Sequence, residues 1–303
     1  GGIEKCKKIT LENGMNLTGT HTHKIYVLEN NQVVDKQLSD VKIDDIVLLQ
    51  GCVPNHSNKT YLSIDVSKGS RILPPLDSSV FSSLGEIECK ILGYIFVYGL
   101  KLNKNLRLIF DTRKAMEVCE SYLKHAGMKG YLKHIEKSQY ILSFAYDKVF
   151  YDLLDMLEVF QEEKIPEFVF RVDKASAAAF LSVIIEKALD ENGEIVESSK
   201  QLLEDIQLLL FLQYGIITYV EKKNDKYLLR FSTSDKDIII SEIFSLALER
   251  KTISDIILNT RLGIKFHKVN NFLSYACMKV IDIEDNIQSE VYDLFVPEGN
   301  HFN

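Results

Sequence analysis

Two short segments near opposite ends of the 303-residue chain gather hydroxyl, imidazole and carboxylate groups. The first reads Leu17-Thr18-Gly19-Thr20-His21-Thr22-His23-Lys24-Ile25-Tyr26-Val27 and sets Thr20 three residues before His23. The second reads Val291-Tyr292-Asp293-Leu294-Phe295-Val296-Pro297-Glu298-Gly299-Asn300-His301-Phe302 and carries Asp293 and His301. An imidazole exchanges protons near neutral pH and a hydroxyl donates to a developing oxyanion, so these are the group types that acyl transfer uses when they converge. Singly, each reads as an ordinary polar residue of an edge strand, a turn or a tail. Their order along the chain is what singles them out.

The elements that must position them change character twice along the sequence. Residues 7 to 50 hold short strand-like runs, Lys24 to Leu28 and Val41 to Leu49, with Glu29-Asn30-Asn31 as a turn signal. From Cys52 to about Ser83 the chain is rich in Ser, Asn, Pro and Asp, and Pro74-Pro75 forbids a continuous helix. Between Leu84 and Lys251 one series of elements occurs twice. Its first pass predicts helix Ile91 to Leu100, strand Leu106 to Asp111, helix Arg113 to His125 closed by Gly127, strands Tyr131 to Ile135 and Tyr140 to Ala145, and helix Val149 to Phe160. The second predicts helix Ser176 to Leu189, helix Gln201 to Gln213 ending at Gly215, strands Ile216 to Val220 and Tyr227 to Ser232, and helix Ile238 to Leu248. Such a repeat predicts a pseudo-twofold body. Beyond it, Met278 to Ile283 and Ser289 to Val296 read as a hairpin turning at Glu284-Asp285-Asn286. The expected organisation is a β unit over 1–52, a linker over 53–83, an inserted α+β repeat over 84–251, and the linker and remainder of the β unit over 252–303.

On these residues the chain resembles an intein whose self-splicing β domain, of the Hint type, carries an inserted homing endonuclease of the LAGLIDADG (DOD) type. The segment around Thr20 and His23 is similar to the intein segment with core Thr-x-x-His, and the segment from Val291 to Phe302 to the one reading Val-Tyr-Asp-Leu with a later His beside Phe. The resemblance implies an α+β fold in which a split all-β splicing domain holds a pseudo-twofold αββαββα insert. It also implies autocatalytic splicing by acyl shift, transesterification and Asn cyclisation. His23 would then protonate the leaving amide nitrogen, Thr20 would hydrogen-bond near the oxyanion, Asp293 would steer proton traffic, and His301 would assist cyclisation. No cofactor is implied for splicing, and Mg²⁺ only for an active endonuclease. The implied partners are the flanking segments of a host protein, a complementary intein fragment if the element is split, and weakly held DNA.

The chain also departs from that pattern. Only 19 residues precede Thr20, Cys6 is the one cysteine in reach of a first-nucleophile role, and His301-Phe302-Asn303 does not give the closing His-Asn pair. The expectation is a chain lacking its first strand or strands and its last, whether a truncated chain, a gene fragment or half of a split intein.

Each signature helix of the endonuclease family ends in an acid followed by Gly, and the two acids bind divalent metal together. Here the first helix ends Phe96-Val97-Tyr98-Gly99, with Tyr98 in the acid's place. In the second, alignment from Phe180-Leu181 gives Ala188 and alignment from Gly193 gives Asn192. Glu186, Asp190 and Glu191 are nearby acids, read first as a solvated helix end and second as substitutes. Lys164-Ile165-Pro166-Glu167 and the segment from Leu202 to Leu209 resemble the loop and helix found there in the family.

Composition narrows the function classes. At 46% apolar residues the chain has enough core for about two domains and is not a disordered one. The apolar stretches Ile91 to Leu100 and Leu208 to Val220 are too short, or too interrupted by Gln213, to span a bilayer. No secretion signal is read at the start, and five scattered cysteines suggest a reducing, intracellular setting that follows the host protein. The net charge is -7, and residues 84 to 250 hold 22 Lys and Arg against 27 Asp and Glu. A DNA-reading saddle should be basic. Lys222, Lys223, Lys226 and Arg230, with Lys129, Lys133 and Lys137, form at most a modest strip. The leading reading is a splicing element with a degenerate insert. The others are an active site-specific DNA endonuclease with displaced acids, and an autoprocessing module that only cleaves.

Overall fold

Residues from both ends of the chain alternate between buried and exposed and meet in one antiparallel sheet. The computed structural model describes residues 2–49, 84–102, 105–136, 138–145, 147–160, 163–190, 194–231, 266–269 and 273–291. Strands β1 (Gly2–Leu11), β2 (Asn16–Thr20), β3 (Lys24–Glu29), β4 (Gln32–Gln37) and β5 (Ile46–Leu49) come from the first end. Strands β13 (Phe266–Val269) and β14 (Leu273–Val291) come from the last. The order is β2-β1-β14-β5-β3-β4, with β13 also on β14. Register runs from Gly2↔Val291 to Leu11↔Val280 and from Ala276↔Leu49 to Lys279↔Ile46. The β3–β4 hairpin turns at Asn30 and Asn31, both at positive φ (50° and 62°), the conformation a tight two-residue turn requires.

Two expectations for this unit are corrected. Val41 to Leu49 is not one strand. A single 3-10 turn occupies Leu38–Asp40, Asp45 accepts the Lys42 N–H at 2.7 Å, Asp44 has φ 73°, and extended structure starts only at Ile46. Glu284-Asp285-Asn286 is not a hairpin turn either, because β14 runs straight through it. The partner strand β1 pairs with Glu284 through Lys8 and with Ile287 through Cys6, so Asp285 and Asn286 are absorbed as a bulge with Asn286 at φ 58°.

The middle of the chain folds as the same motif twice. First come α1 (Glu86–Tyr98), β6 (Gly99–Leu102), β7 (Asn105–Phe110), α2 (Arg113–His125), β8 (Tyr131–Glu136), β9 (Gln139–Ala145) and α3 (Lys148–Met156). A short helix α4 (Glu167–Arg171) leads to α5 (Lys174–Ala188), β10 (Ile195–Glu197), α6 (Lys200–Tyr214), β11 (Thr218–Lys223) and β12 (Lys226–Phe231). The sheets are β6-β7-β9-β8 and β10-β12-β11. The bridge Leu189↔Ile195 stands where the β6–β7 pair stands in the first half. Side-chain caps start the helices locally: Thr112, Asp173 and Ser199 accept the N–H of Ala115, Ser176 and Leu202, each contributing about 1 kcal/mol. Gly127 and Gly215, at φ 73° and 66°, follow α2 and α6. Helix α3 ends at Met156, short of Phe160, where Glu158 takes φ 55°. The expected helix Ile238 to Leu248 lies outside the described residues.

Two cores result. One joins both repeats around α1 and α5, and the other lies under the seven-stranded sheet. No helix among the described residues is long and apolar enough to cross a membrane.

Candidate functional site

Helices α1 and α5 pack so closely that residue size is decisive. A Cβ at Gly93 would lie 2.9 Å from the Phe180 carbonyl oxygen and 3.0 Å from Val183 Cγ2, so only glycine fits without displacement. Both helices stop in the same way. Gly99 N–H donates to the Ile95 carbonyl and Leu189 N–H to the Ile185 carbonyl, each from an extended residue. Matched ends put Tyr98 and Ala188 at corresponding positions. Asn192 and Glu191 lie outside the described residues.

Tyr98 is half-buried, with its ring centroid 4.7 Å from that of Phe110 and 6.1 Å from that of Tyr94. Burial first, then the charges of Glu186 and Asp111, pushes its hydroxyl up to about 12, so it stays neutral at physiological pH. Above the ring, 5.3 Å from its centroid, sits the Lys187 ammonium, which pairs with Asp111 of the other half. A methyl group, a neutral phenol and a resident ammonium do not fit a divalent cation, which needs several oxygen ligands carrying negative charge. Among the described residues no group of three or more His, Cys, Asp or Glu could hold a metal.

The two remaining substitute acids differ in surroundings. Glu186 is on α5, two residues before Ala188, and its charge raises the pKa of Lys90 and of the hydroxyls of Tyr94, Tyr98 and Tyr122. Asp190 accepts the Glu194 N–H at 2.9 Å while its own N–H donates to the Glu194 carbonyl, so it closes a turn.

Sequence reasoning missed Lys90. Its ammonium is buried between α1 and α5, donates to Ser182 Oγ at 2.6 Å, and lies 5.8 Å from the ring centroids of Tyr94 and Tyr122. Burial lowers its pKa to about 8. The only signal was a lysine in an otherwise apolar helix. Also missed was Glu197, whose carboxyl is raised by burial in a cleft of roughly 840 Å³ shared with Lys187, Lys200 and Tyr227.

In the β unit, Thr20 ends β2 directly opposite Cys6 of β1, and His23 follows one tight turn later, its N–H donating to the Thr20 carbonyl at 3.0 Å. The His23 carbonyl accepts the Leu38 N–H at 2.7 Å. Thr20 and His23 are therefore brought together, while Asp293 and His301 lie outside the described residues. Cys6 is fully buried. The carboxylate that reaches this turn is Asp285 in the β14 bulge, 2.7 Å from His21 Nε2, and the hydrogen bond from His21 holds it below the usual carboxylate range. No local pattern announces that pair, because the bulge that aims Asp285 depends on pairing with β1.

Two members of the basic strip are ion-paired: Arg230 with Glu194 and Glu221, and Lys133 with Glu120. Lys129, Lys222, Lys223 and Lys226 are exposed, and Lys137 lies outside the described residues.

Against known protein families the chain matches none. Its similar curated relatives include transcription initiation factor IIB of Methanocaldococcus jannaschii, 23% identical over 99% of this chain and 37% of that protein. They also include the ribonucleoside-diphosphate reductase NrdEB subunit alpha of Bacillus subtilis, 22% identical over 72% of this chain and 20% of that protein. The chain thus spans about a third and a fifth of the curated relatives it matches. Similar solved structures include homing endonucleases. I-DmoI in complex with DNA and Mn is 17% identical, with TM-score 0.42 over 54% of this chain and 98% of that one. I-WcaI bound to its DNA recognition sequence is 13% identical, with TM-score 0.40 over 59% and 88%.

Proposed function

We propose that the chain is an intein-type element: a split β unit that performs autocatalytic protein splicing and carries a LAGLIDADG-like insert that has lost DNA cleavage. The observation that carries this reading is topological. Strands on either side of the insert, β5 and β14, are hydrogen-bonded neighbours in one sheet, and that sheet holds Thr20 and His23 in a single turn. A body interrupting a sheet in this way fits an insertion, which a fold tolerates where the ends of the inserted part lie close together. The relatives add support. One segment resembling a third of a transcription factor and a fifth of a reductase subunit is what an element carried inside unrelated hosts produces. Neither host activity is assigned to this chain.

Within this reading Thr20 donates toward the oxyanion and His23 assists the leaving nitrogen, with Asp293 and His301 serving the later steps. Tyr98 and Ala188 mark the two former acid positions of the insert.

The second reading is a working site-specific DNA endonuclease, and Glu186 is what favours it, since this acid lies on α5 two residues before Ala188. It has no acid counterpart, because the corresponding position in α1 is Phe96. The gene sequence flanking the chain tests the first reading: the two flanks should be parts of one interrupted host protein, whereas a secretion signal and a ligand domain would favour an autoprocessing module. Incubation with Mg²⁺ and an uninterrupted copy of the host gene tests the second, where a specific double-strand break would establish it.

A further inference from the structure

Helix α6 has two buried faces. Leu202, Leu203, Ile206, Leu209 and Leu210 point into the core shared by α1 and α5. Phe211, on another side, is 6% exposed and belongs instead to the core under the seven-stranded sheet, together with Ile217 (1% exposed) just before β11. One turn before Phe211, Gln207 Nε2 donates to the Asn13 carbonyl at 2.8 Å and to the Thr218 carbonyl at 2.7 Å. Asn13 is buried at the tip of the β1–β2 hairpin, and its carbonyl also accepts the Val220 N–H of edge strand β11 at 3.1 Å. Gly14 follows at φ 88°, and a Cβ there would stand 3.2 Å from the Val220 carbonyl oxygen. The contact is therefore sealed by shape as well as by hydrogen bonds.

An inserted body joined only through its connecting strands would leave the core of the sheet complete without it. Here that core takes side chains from the insert, and the hairpin they hold is the one whose second strand ends in Thr20. We propose that the insert is a structural part of the β unit: docking of α6 and β11 on the Asn13 turn fixes the β1–β2 hairpin and with it the position of Thr20. The inference rests on the junction alone and holds whether or not the chain splices.

Hydrogen exchange on the full chain, read by mass spectrometry, tests it with Phe211→Ala and the milder Gln207→Leu. Both substitutions lie away from the α1–α5 contact. The expected result is at least about tenfold faster exchange in β1 and β2 than in the unmodified chain, with α1 and α5 unchanged within about twofold. If Phe211→Ala unfolds the whole chain, Gln207→Leu decides by the same comparison. Unchanged β1 and β2 exchange in Gln207→Leu, or α1 and α5 accelerating by the same factor as β1 and β2, would overturn the proposal.

Discussion

Lys90 and Ser182 meet at 2.6 Å across the α1–α5 pair, so a buried ammonium from one half is held by a hydroxyl from the other. Ser182 in turn donates to the Ala179 carbonyl at 2.8 Å, which leaves its oxygen free to accept from the lysine. Charge here costs stability, because the low-dielectric interior disfavours it more than the hydrogen bond and the charge of Glu186 favour it.

The sign of that cost is testable. With its folded pKa near 8 against 10.5 unfolded, Lys90 is protonated in both states below about pH 8, and the penalty is then complete. Between 8 and 10.5 the unfolded chain binds more protons, so this residue's contribution improves as pH rises. The buried thiols of Cys89 and Cys119, raised by burial, act in the opposite sense above their unfolded values. The difference between the unmodified chain and Lys90→Met isolates the lysine. In urea unfolding, Lys90→Met should be more stable at pH 7 by about 1–3 kcal/mol, with the gap narrowing by pH 9.5. A less stable Lys90→Met at pH 7 would show that the ammonium is a net favourable contact.

Gly93 is the second test of the helix pair. Gly93→Ala should push α1 from α5 and lower stability by about 1–3 kcal/mol, read as a fall in thermal midpoint. An unchanged midpoint would mean that Phe180 and Val183 give way freely.

Asn286 tests the β14 bulge. At φ 58° a β-branched residue is strained, whereas Gly is not. Asn286→Val should cost about 1–3 kcal/mol and Asn286→Gly much less, both by denaturant titration. Equal costs would indicate that the bulge relaxes.

Elements whose ends are written in local chemistry were legible from sequence. The Asn30-Asn31 turn, α2 before Gly127 and α6 before Gly215 follow from residues that tolerate positive φ next to clear periodicity. Those whose shape depends on a distant partner were not. Glu284-Asp285-Asn286 has turn composition but lies beside β1, more than two hundred residues away in sequence, and becomes a bulge. The closeness of Thr20 and His23 follows from their spacing, because one turn holds both; the His21–Asp285 contact was not legible, since it needs that bulge. Lys90 was passed over because its partner Ser182 lies in the other repeat. Helix α6 did carry a signal: apolar residues on more than one side mean burial on more than one side.

The pseudo-twofold centre gives a fourth prediction. Introducing carboxylates by Tyr98→Asp with Ala188→Asp should not by itself yield tight divalent binding, because Lys187 stands over position 98 and would pair with the new acid. Adding Lys187→Ala should strengthen Mn²⁺ binding, measured by calorimetry. Equal Mn²⁺ affinity with and without Lys187 would remove the lysine from the explanation.

The splicing proposal is tested most directly by mass spectrometry of a precursor in which the chain is expressed with the sequence that its gene encodes on either side. The account predicts release of the chain and a new peptide joining the two flanks, with His23→Ala slowing the first acyl shift. Flanks that stay attached to the unmodified chain under conditions where it is folded, or a His23→Ala precursor that splices at the unmodified rate, would contradict it.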